Sequence, residues 1–227
     1  MACDTSALLQ DLQKRITLLQ RRIHCPPDGI EIDEQLRRAR YSVEAYLHCY
    51  SAKWKWVPPE YYSLTLPHRA KLLNALKIQQ LCKSVLMENK QFKFAVGKAN
   101  DRTYSRYYLV VVQYTSVISN KKLELAIRKL RKVSEGRLPT NCFEFSVAKE
   151  EDSERLTGFK HNAVTPFGLL DDSIPIIIPS SLVEELADAP FIWMGGGHVR
   201  SKLGLSINEF IEKTNAIVAD VSELRPE

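Results

Sequence analysis

Leu9, Leu12, Ile16, Leu19 and Ile23 recur at spacings of three and four, the apolar seam of a coiled-coil helix. Pro26-Pro27-Asp28-Gly29 must end that helix, because proline lacks the amide donor and disfavours helix in the residue before it. The same spacing resumes with Ile32, Leu36, Ala39, Val43 and Leu47, which predicts a second helix from Asp33. Two helices joined by a short turn make an antiparallel hairpin, here over residues 1–50. Its seam is open to three partners: the protein itself, another copy, or a helix of a second protein.

Residues 48–66, HCYSAKWKWVPPEYYSLTL, carry no helical period and many aromatics, so 51–66 reads as a connector. Trp54, Trp56, Tyr61 and Tyr62 beside Lys53 and Lys55 suit two roles, stacking on bases or fixing the connector to a core. From Pro67 onward helical and strand patterns interleave. PHRAKLLNALKIQQ predicts a helix, KSVLME and YYLVVVQY strands, and KKLELAIRKLRK an amphipathic helix. CFEFSVA alternates as a strand does, and KEEDSERL is a short acidic helix stopped by Gly158. IPIIIP and FIWM predict buried strands, SSLVEELA a capped helix, INEFIEKT a helix, and AIVADV the last strand. The expected architecture of 67–227 is α/β, a mixed sheet flanked by helices.

Charge adds something the pattern does not. The net +5 conceals a strongly uneven distribution. Residues 1–50 carry seven basic and seven acidic side chains, 51–137 carry eighteen and five, and 138–227 carry seven and fifteen. A basic middle fits a polyanionic partner, since neutralised phosphates release counterions; a solvated lysine-rich surface is the plainer alternative. Five scattered cysteines without a C-x-x-C pair fit a reducing compartment, so the expectation is cytoplasmic. No apolar run approaches the length of a membrane span, and the N-terminus lacks the pattern of a secretory signal.

The commonest catalytic motifs are absent: no G-x-S-x-G, no H-E-x-x-H, no G-x-x-x-x-G-K-[ST]. The five histidines form no helical ligand pair, so neither metal nor cofactor is expected. Two loops rich in small residues remain, TGFKHNAVTPFG at 157–168 and GGGH at 195–198. Glycine lets backbone amides approach a ligand, and neighbouring amides can stabilise an oxyanion.

The order of a helix running into Cys82-Lys83-Ser84-Val85-Leu86, a strand, TGFKHNAVTPFGLL, IPIIIP-SSL, FIWMGGGHVRSKLGLSINEF and AIVADVS resembles the YbaK/prolyl-tRNA synthetase-associated domain family over 67–222. The resemblance implies a mixed, largely antiparallel twisted sheet. It also implies hydrolysis of the ester joining a small amino acid to the terminal adenosine of tRNA, in the best-known members alanine or cysteine on prolyl-type tRNA. Lys83 matches the family's functional lysine. The pocket loop corresponds to His161, Asn162, Ala163, Val164, Thr165, Pro166, Phe167 and Gly168, with Gly195, Gly196, Gly197 and His198 from the second loop. The family's glycine is Asn162 here, and asparagine is the next-best residue for a left-handed backbone. The implied partner is a mischarged tRNA, with the hairpin free to join a synthetase complex or to self-associate. A reading of another class stays open: a non-catalytic tRNA-binding or scaffolding module of a synthetase assembly.

Overall fold

The computed structural model describes Leu9, Leu12, Ile30, residues 32–94 and residues 101–225. Contacts divide the chain into two units, 1–32 and 33–227, and every helix and strand numbered here belongs to the second. Of the first predicted seam, Leu9 and Leu12 are helical, while Ile16, Leu19, Ile23 and the Pro26–Gly29 turn lie outside the described residues.

The second predicted helix forms as α1 (Glu34–Arg40), extended by a π-helical turn over Tyr41–Tyr46. Asp33 caps it, its Oδ1 accepting from the amide of Leu36 at 2.9 Å. Leu36, Ala39 and Val43, the seam, have no exposed surface. Val43 joins the core cluster that also holds Leu86, Met194 and Leu205, and Ala39 packs with Phe159 and Ala163. This helix is thus built into the same body as the sheet. The hairpin pairing expected over 1–50 involves residues outside those described.

The sheet is mixed, as its pattern predicts. Five strands run in the order β5-β2-β3-β6-β9: β2 (Cys82–Asn89), β3 (Tyr107–Gln113), β5 (Phe145–Val147), β6 (Ile176–Pro179) and β9 (Ile217–Ala219). β2 is antiparallel to β3 and β5, whereas β6 is parallel to β3 and β9. All seven residues of β3 are buried, as expected of a continuous apolar run at the centre of a two-faced sheet. Leu109 and Val111 face one core with Leu86, Ile178 and Phe210. Tyr108, Val110 and Val112 face another beneath Leu123 and Ile127 of α3 (Asn120–Leu130).

Several elements depart from expectation. The connector contains β1 (Lys53–Trp56), which pairs antiparallel with β8 (Ser201–Ser206), itself paired with β7 (Phe191–Gly195). KWKW alternates in strand fashion, but only pairing with β8, about 150 residues away, gives that alternation a sheet to join. The helix predicted over 67–80 ends earlier, as α2 (Leu66–Leu73), because Asn74 adopts a left-handed conformation (φ 55°) and its amide closes the helix on Ala70 and Lys71. A two-stranded sheet of β4 (Ser116–Ile118) and β10 (Ser222–Leu224) carries the chain past the expected last strand. The remaining helices are α4 (Glu150–Thr157), closed by Gly158 at φ 72° as predicted, α5 (Ser180–Glu185) and α6 (Ile207–Thr214). The expected serine cap of α5 is not made: Pro179 holds that position and no side chain caps the helix.

Candidate functional site

A cleft of about 610 Å³ opens where the first residues of β2 meet the ends of β7 and β8. Below Leu86, β2 has lost its partner β5, which pairs only with Met87–Asn89, so the strand's edge from Cys82 to Val85 is free to line the opening. The opposite wall is the loop following α4, through Phe159, His161, Asn162 and Val164. Trp193, Met194 and Gly195 from β7 and Lys202 from β8 line one end, where Trp193, Met194 and Lys202 are buried. Tyr61 and Tyr62, from a short 3-10 turn at Pro59–Ser63, complete that end with Tyr114.

The two loops singled out in the sequence lie against each other. Gly197 donates its amide to the carbonyl of Ala163 at 3.1 Å. A Cβ at Gly195 would stand 2.3 Å from the carbonyl oxygen of Val164, so this approach admits no larger residue. Asn162 has φ 64°, the left-handed backbone expected where the family carries glycine. Its carbonyl accepts from the Tyr62 hydroxyl at 2.7 Å.

Of the residues expected to bind substrate, His161, Asn162, Val164 and Gly195 line the cleft, and so does Lys83. Ala163 turns into a small cluster with Ala39 and Phe159. Thr165, Pro166 and Phe167 are buried, Phe167 against Phe210 with ring centroids 6.0 Å apart. Gly168, Gly196, Gly197 and His198 also stand outside the cleft lining. Gly168 meets the backbone of Arg38. Gly197 packs on Ala39 of α1. His198 lies edge-on to Trp56 at 5.6 Å, and its Nδ1 accepts from the Arg200 amide. Burial first, then the cations Arg200 and Lys202, set His198 below the usual histidine value, against the opposing pull of Asp33.

Lys83 is half-buried, and loss of hydration, reinforced by Arg225, lowers its pKa. It pairs with Val112 and leaves β2 on the face of Val85, whereas Ser84 pairs with Val111 and shares the face of Cys82 and Leu86. The Ser84 hydroxyl is buried with no hydrogen-bond partner among the described residues. The Cys82 thiol is buried and pushed well above its ordinary value, so it stays protonated rather than nucleophilic.

The pattern reading overlooked Tyr114, Trp193 and Lys202, and it weighed Tyr61 and Tyr62 only as connector aromatics that stack on bases or hold to the core. Lys202 is 4% exposed, and donates to the Tyr62 hydroxyl at 2.6 Å and to the Val199 carbonyl at 3.0 Å. Burial, with Arg69 nearby, pulls its pKa down to about 7. The available signal was a lysine inside SKLGLS, an otherwise apolar run that reads as a strand once β8 is recognised. Arg69 sits 5.4 Å from the ring centroids of Tyr61, Tyr62 and Tyr114, so a second cation stands behind the aromatic wall. Among the described residues no group of three or more His, Cys, Asp or Glu side chains could hold a metal ion. Among them too, no helix is long and apolar enough to cross a membrane.

Residues 69–213 match the family model described as an aminoacyl-tRNA editing domain. The match covers more than half of the chain, and the protein belongs to the aminoacyl-tRNA editing domain family. No curated protein sequence matches it. Among solved structures it is similar to a protein provisionally assigned as a trans-editing enzyme for prolyl tRNA synthetase. That likeness has a TM-score of 0.61 at 21% identity, covering 85% of this chain and 99% of the other. A scaffold protein from a study of epitope grafting by computational design gives 0.59 at 20% identity, with the same coverage. A hypothetical protein gives 0.51 at 20%, covering 76% and 91%. At such identities these likenesses speak for the fold.

Proposed function

We propose that this protein is an aminoacyl-tRNA deacylase, a hydrolase that cleaves the ester between a small amino acid and the terminal adenosine of a mischarged tRNA of the prolyl type. The observation that carries this reading is one cleft shared by Lys83, by Asn162 and Val164, and by Gly195, three stretches far apart in the chain. An aminoacyl ester is already activated, so the protein has mainly to orient it and to stabilise the developing oxyanion. Lys83 supplies a cation toward the terminal phosphate or the ester. The unpartnered hydroxyl of Ser84 and the backbone amides of the cleft-lining loop at His161, Asn162 and Val164 are donors for the oxyanion. The left-handed turn at Asn162 and the glycine contact at 195 set the pocket's size, which excludes large side chains sterically; a hydrophobic pocket separates a methylene by only ~1–3 kcal/mol. The basic stretch from 51 to 137 draws the tRNA, in the cytoplasm.

We propose further that residues 1–32 serve assembly, through a synthetase complex or self-association. The chemistry then belongs to the body that follows.

One observation favours the reading of another class, a non-catalytic tRNA-binding module. Lys83 and Ser84 leave β2 on opposite faces, so they converge on a reacting ester only around the strand's open edge. A panel of alanyl-, cysteinyl- and seryl-tRNAs decides between the two. Deacylation above the spontaneous rate is expected for at least one small amino acid, while tight tRNA binding without turnover across the panel would establish the binding module.

A further inference from the structure

Lys202 is one of two lysines among the described residues that line the cleft, and counting its donors shows what its surroundings lack. An ammonium has three N–H donors and no acceptor. Two of them go to the Tyr62 hydroxyl and the Val199 carbonyl. The third finds no acceptor among the described residues, and no carboxylate there pairs with Lys202. Tyr62 accepts from the lysine and donates onward to the carbonyl of Asn162, so its hydroxyl hydrogen is also committed. The rings of Tyr62 and Tyr61, at 4.6 and 5.2 Å from Nζ, soften the cost of a buried cation without neutralising it. Around this point the cleft wall is apolar or aromatic, with Leu73, Leu81 and Trp193.

Burial holds part of Lys202 neutral near pH 7, and the ammonium form keeps a costly unused donor until an acceptor oxygen arrives. The substrate of an editing site has three places for that oxygen: the phosphate, the ester and the amino-acid side chain. A polynucleotide phosphate keeps its hydration and counterions, whereas Lys202 is 4% exposed and is tied through Tyr62 to Asn162 in the loop read as shaping the amino-acid pocket. The α-amine of the amino acid is itself a donor and is repelled by the lysine. Building on the deacylase reading above, we infer that Lys202, held by Tyr62, is a specificity-determining residue that donates to an oxygen at the end of a short amino-acid side chain. The pocket thereby prefers a hydroxyl-bearing residue over its apolar isostere.

Serine and 2-aminobutyrate differ by an oxygen in place of a methyl and make the direct comparison. The proteins to compare are the full-length wild type, K202M, which keeps the length of the side chain, and Y62F, which removes the hydroxyl that fixes the lysine. Two measurements are made on each. One is hydrolysis of the two amino acids esterified to the same tRNA. The other is calorimetric binding of the two amino acids coupled as amides to 3′-amino-3′-deoxyadenosine, which bind without reacting. The wild type should favour the seryl compound at least tenfold in both measurements, because a site that hydrogen-bonds an oxygen rejects the analogue lacking it. In K202M the ratio should fall to near one, and in Y62F it should fall part of the way. Binding selectivity that depends on Lys202, without hydrolysis of either ester, would leave the subsite standing and end the deacylase reading. No preference in the wild type, no binding of either amide, or a ratio unmoved in folded K202M would overturn the inference. So would an equal slowing of both esters in K202M, which would place Lys202 on the reacting ester instead. Should K202M not fold, the wild-type ratio and Y62F decide the matter.

Discussion

The guanidinium of Arg38 donates through Nε to the carbonyl of Gly168 at 2.6 Å, and through Nη2 to that of Gly158, also at 2.6 Å. One side chain from α1 therefore ties together the two ends of the loop that forms a wall of the cleft. Both glycines have positive φ, 72° and 74°, where a side chain would strain the backbone. A Cβ on either would also collide with Arg38 itself. The clamp comes from a helix that lies ahead of the matched family segment.

Arg38→Met should loosen this loop while keeping most of the apolar stem of the side chain. Hydrogen bonds from a charged group contribute about 1.5–3 kcal/mol each, so a loss of about 3–6 kcal/mol in unfolding free energy is expected for the pair. Ester hydrolysis should fall with it, because His161, Asn162 and Val164 ride on the loop. Denaturant unfolding of the variant, alongside its turnover, gives the answer. Unchanged stability would mean that the two carbonyls find other donors and the clamp does not hold the loop.

Two truncations test where the folded body begins. Removing residues 1–32 should leave the thermal unfolding of the remainder and its hydrolysis of a minimal aminoacyl ester close to those of the full chain, since contacts separate that unit. Removing residues 1–50 should unfold the protein or lower its melting temperature sharply. That cut strips Leu36, Ala39 and Val43, all without exposed surface, together with Arg38. Core truncations of single large residues already cost about 2–5 kcal/mol. A well-folded, active chain starting at residue 51 would show that α1 is an accessory rather than part of the body.

The elements legible in the sequence are those whose signal is local. YYLVVVQ announces a central strand by its composition, and KEEDSERL-TG announces a helix and its glycine stop. The left-handed backbone at Asn162 follows from the family resemblance, which implies a glycine there, together with asparagine's tolerance of positive φ. What was not legible depends on distant pairing. KWKW becomes a strand only opposite β8, and SKLGLS becomes one only between β1 and β7. Because neither strand is recognised, Lys202 and its bond to Tyr62 are missed, since the two reach each other across 140 positions of chain. The loop residues failed in a different way. In TPFG the hydrophobic Phe167 and the small Thr165 serve the loop's packing on the core, and nothing in the motif separates such residues from those facing the cleft.

Asn162 offers a test of the loop's shape. Asn162→Gly should retain folding and hydrolysis, because glycine adopts φ 64° freely. Asn162→Val should cost about 1–3 kcal/mol and most of the activity, since a β-branched residue resists that conformation. Turnover of alanyl, seryl and cysteinyl esters by the three proteins separates backbone from side chain. If the glycine variant folds but loses activity, the amide side chain takes part in the site.

Lys83→Ala should lower deacylation at least a hundredfold while leaving thermal unfolding almost unchanged. The lysine is only half-buried and has no carboxylate partner among the described residues, so little of the fold depends on it. Turnover close to that of the wild type would remove Lys83 from the chemistry and direct attention to Ser84 and Lys202.

The pH dependence of stability gives a separate measure of how deeply Lys202 is buried. Its folded pKa, near 7, is below the ordinary lysine value of about 10.4, because burial and then Arg69 disfavour the ammonium. Between those two values the unfolded chain binds a proton that the folded one does not, so stability must rise with pH across that window. Below pH 7 both states hold the proton and the contribution becomes flat, at its least favourable level. The other charged and titratable groups near Lys202 are Arg69 from α2, Lys55 opposite it on β1, Tyr61 and Tyr62 from the turn, and His198, whose own pKa Lys202 lowers. Comparison with K202M removes what these contribute in both proteins. Relative to K202M, the wild type should therefore gain at most about 1.4 kcal/mol per pH unit between pH 7 and 10, and nothing between pH 5.5 and 7. Urea unfolding of both proteins at pH 6, 7.5 and 9 measures the difference. A difference that is constant across the series would mean that Lys202 keeps an ordinary pKa in the folded protein, with water or a counter-charge reaching it at the end of the cleft.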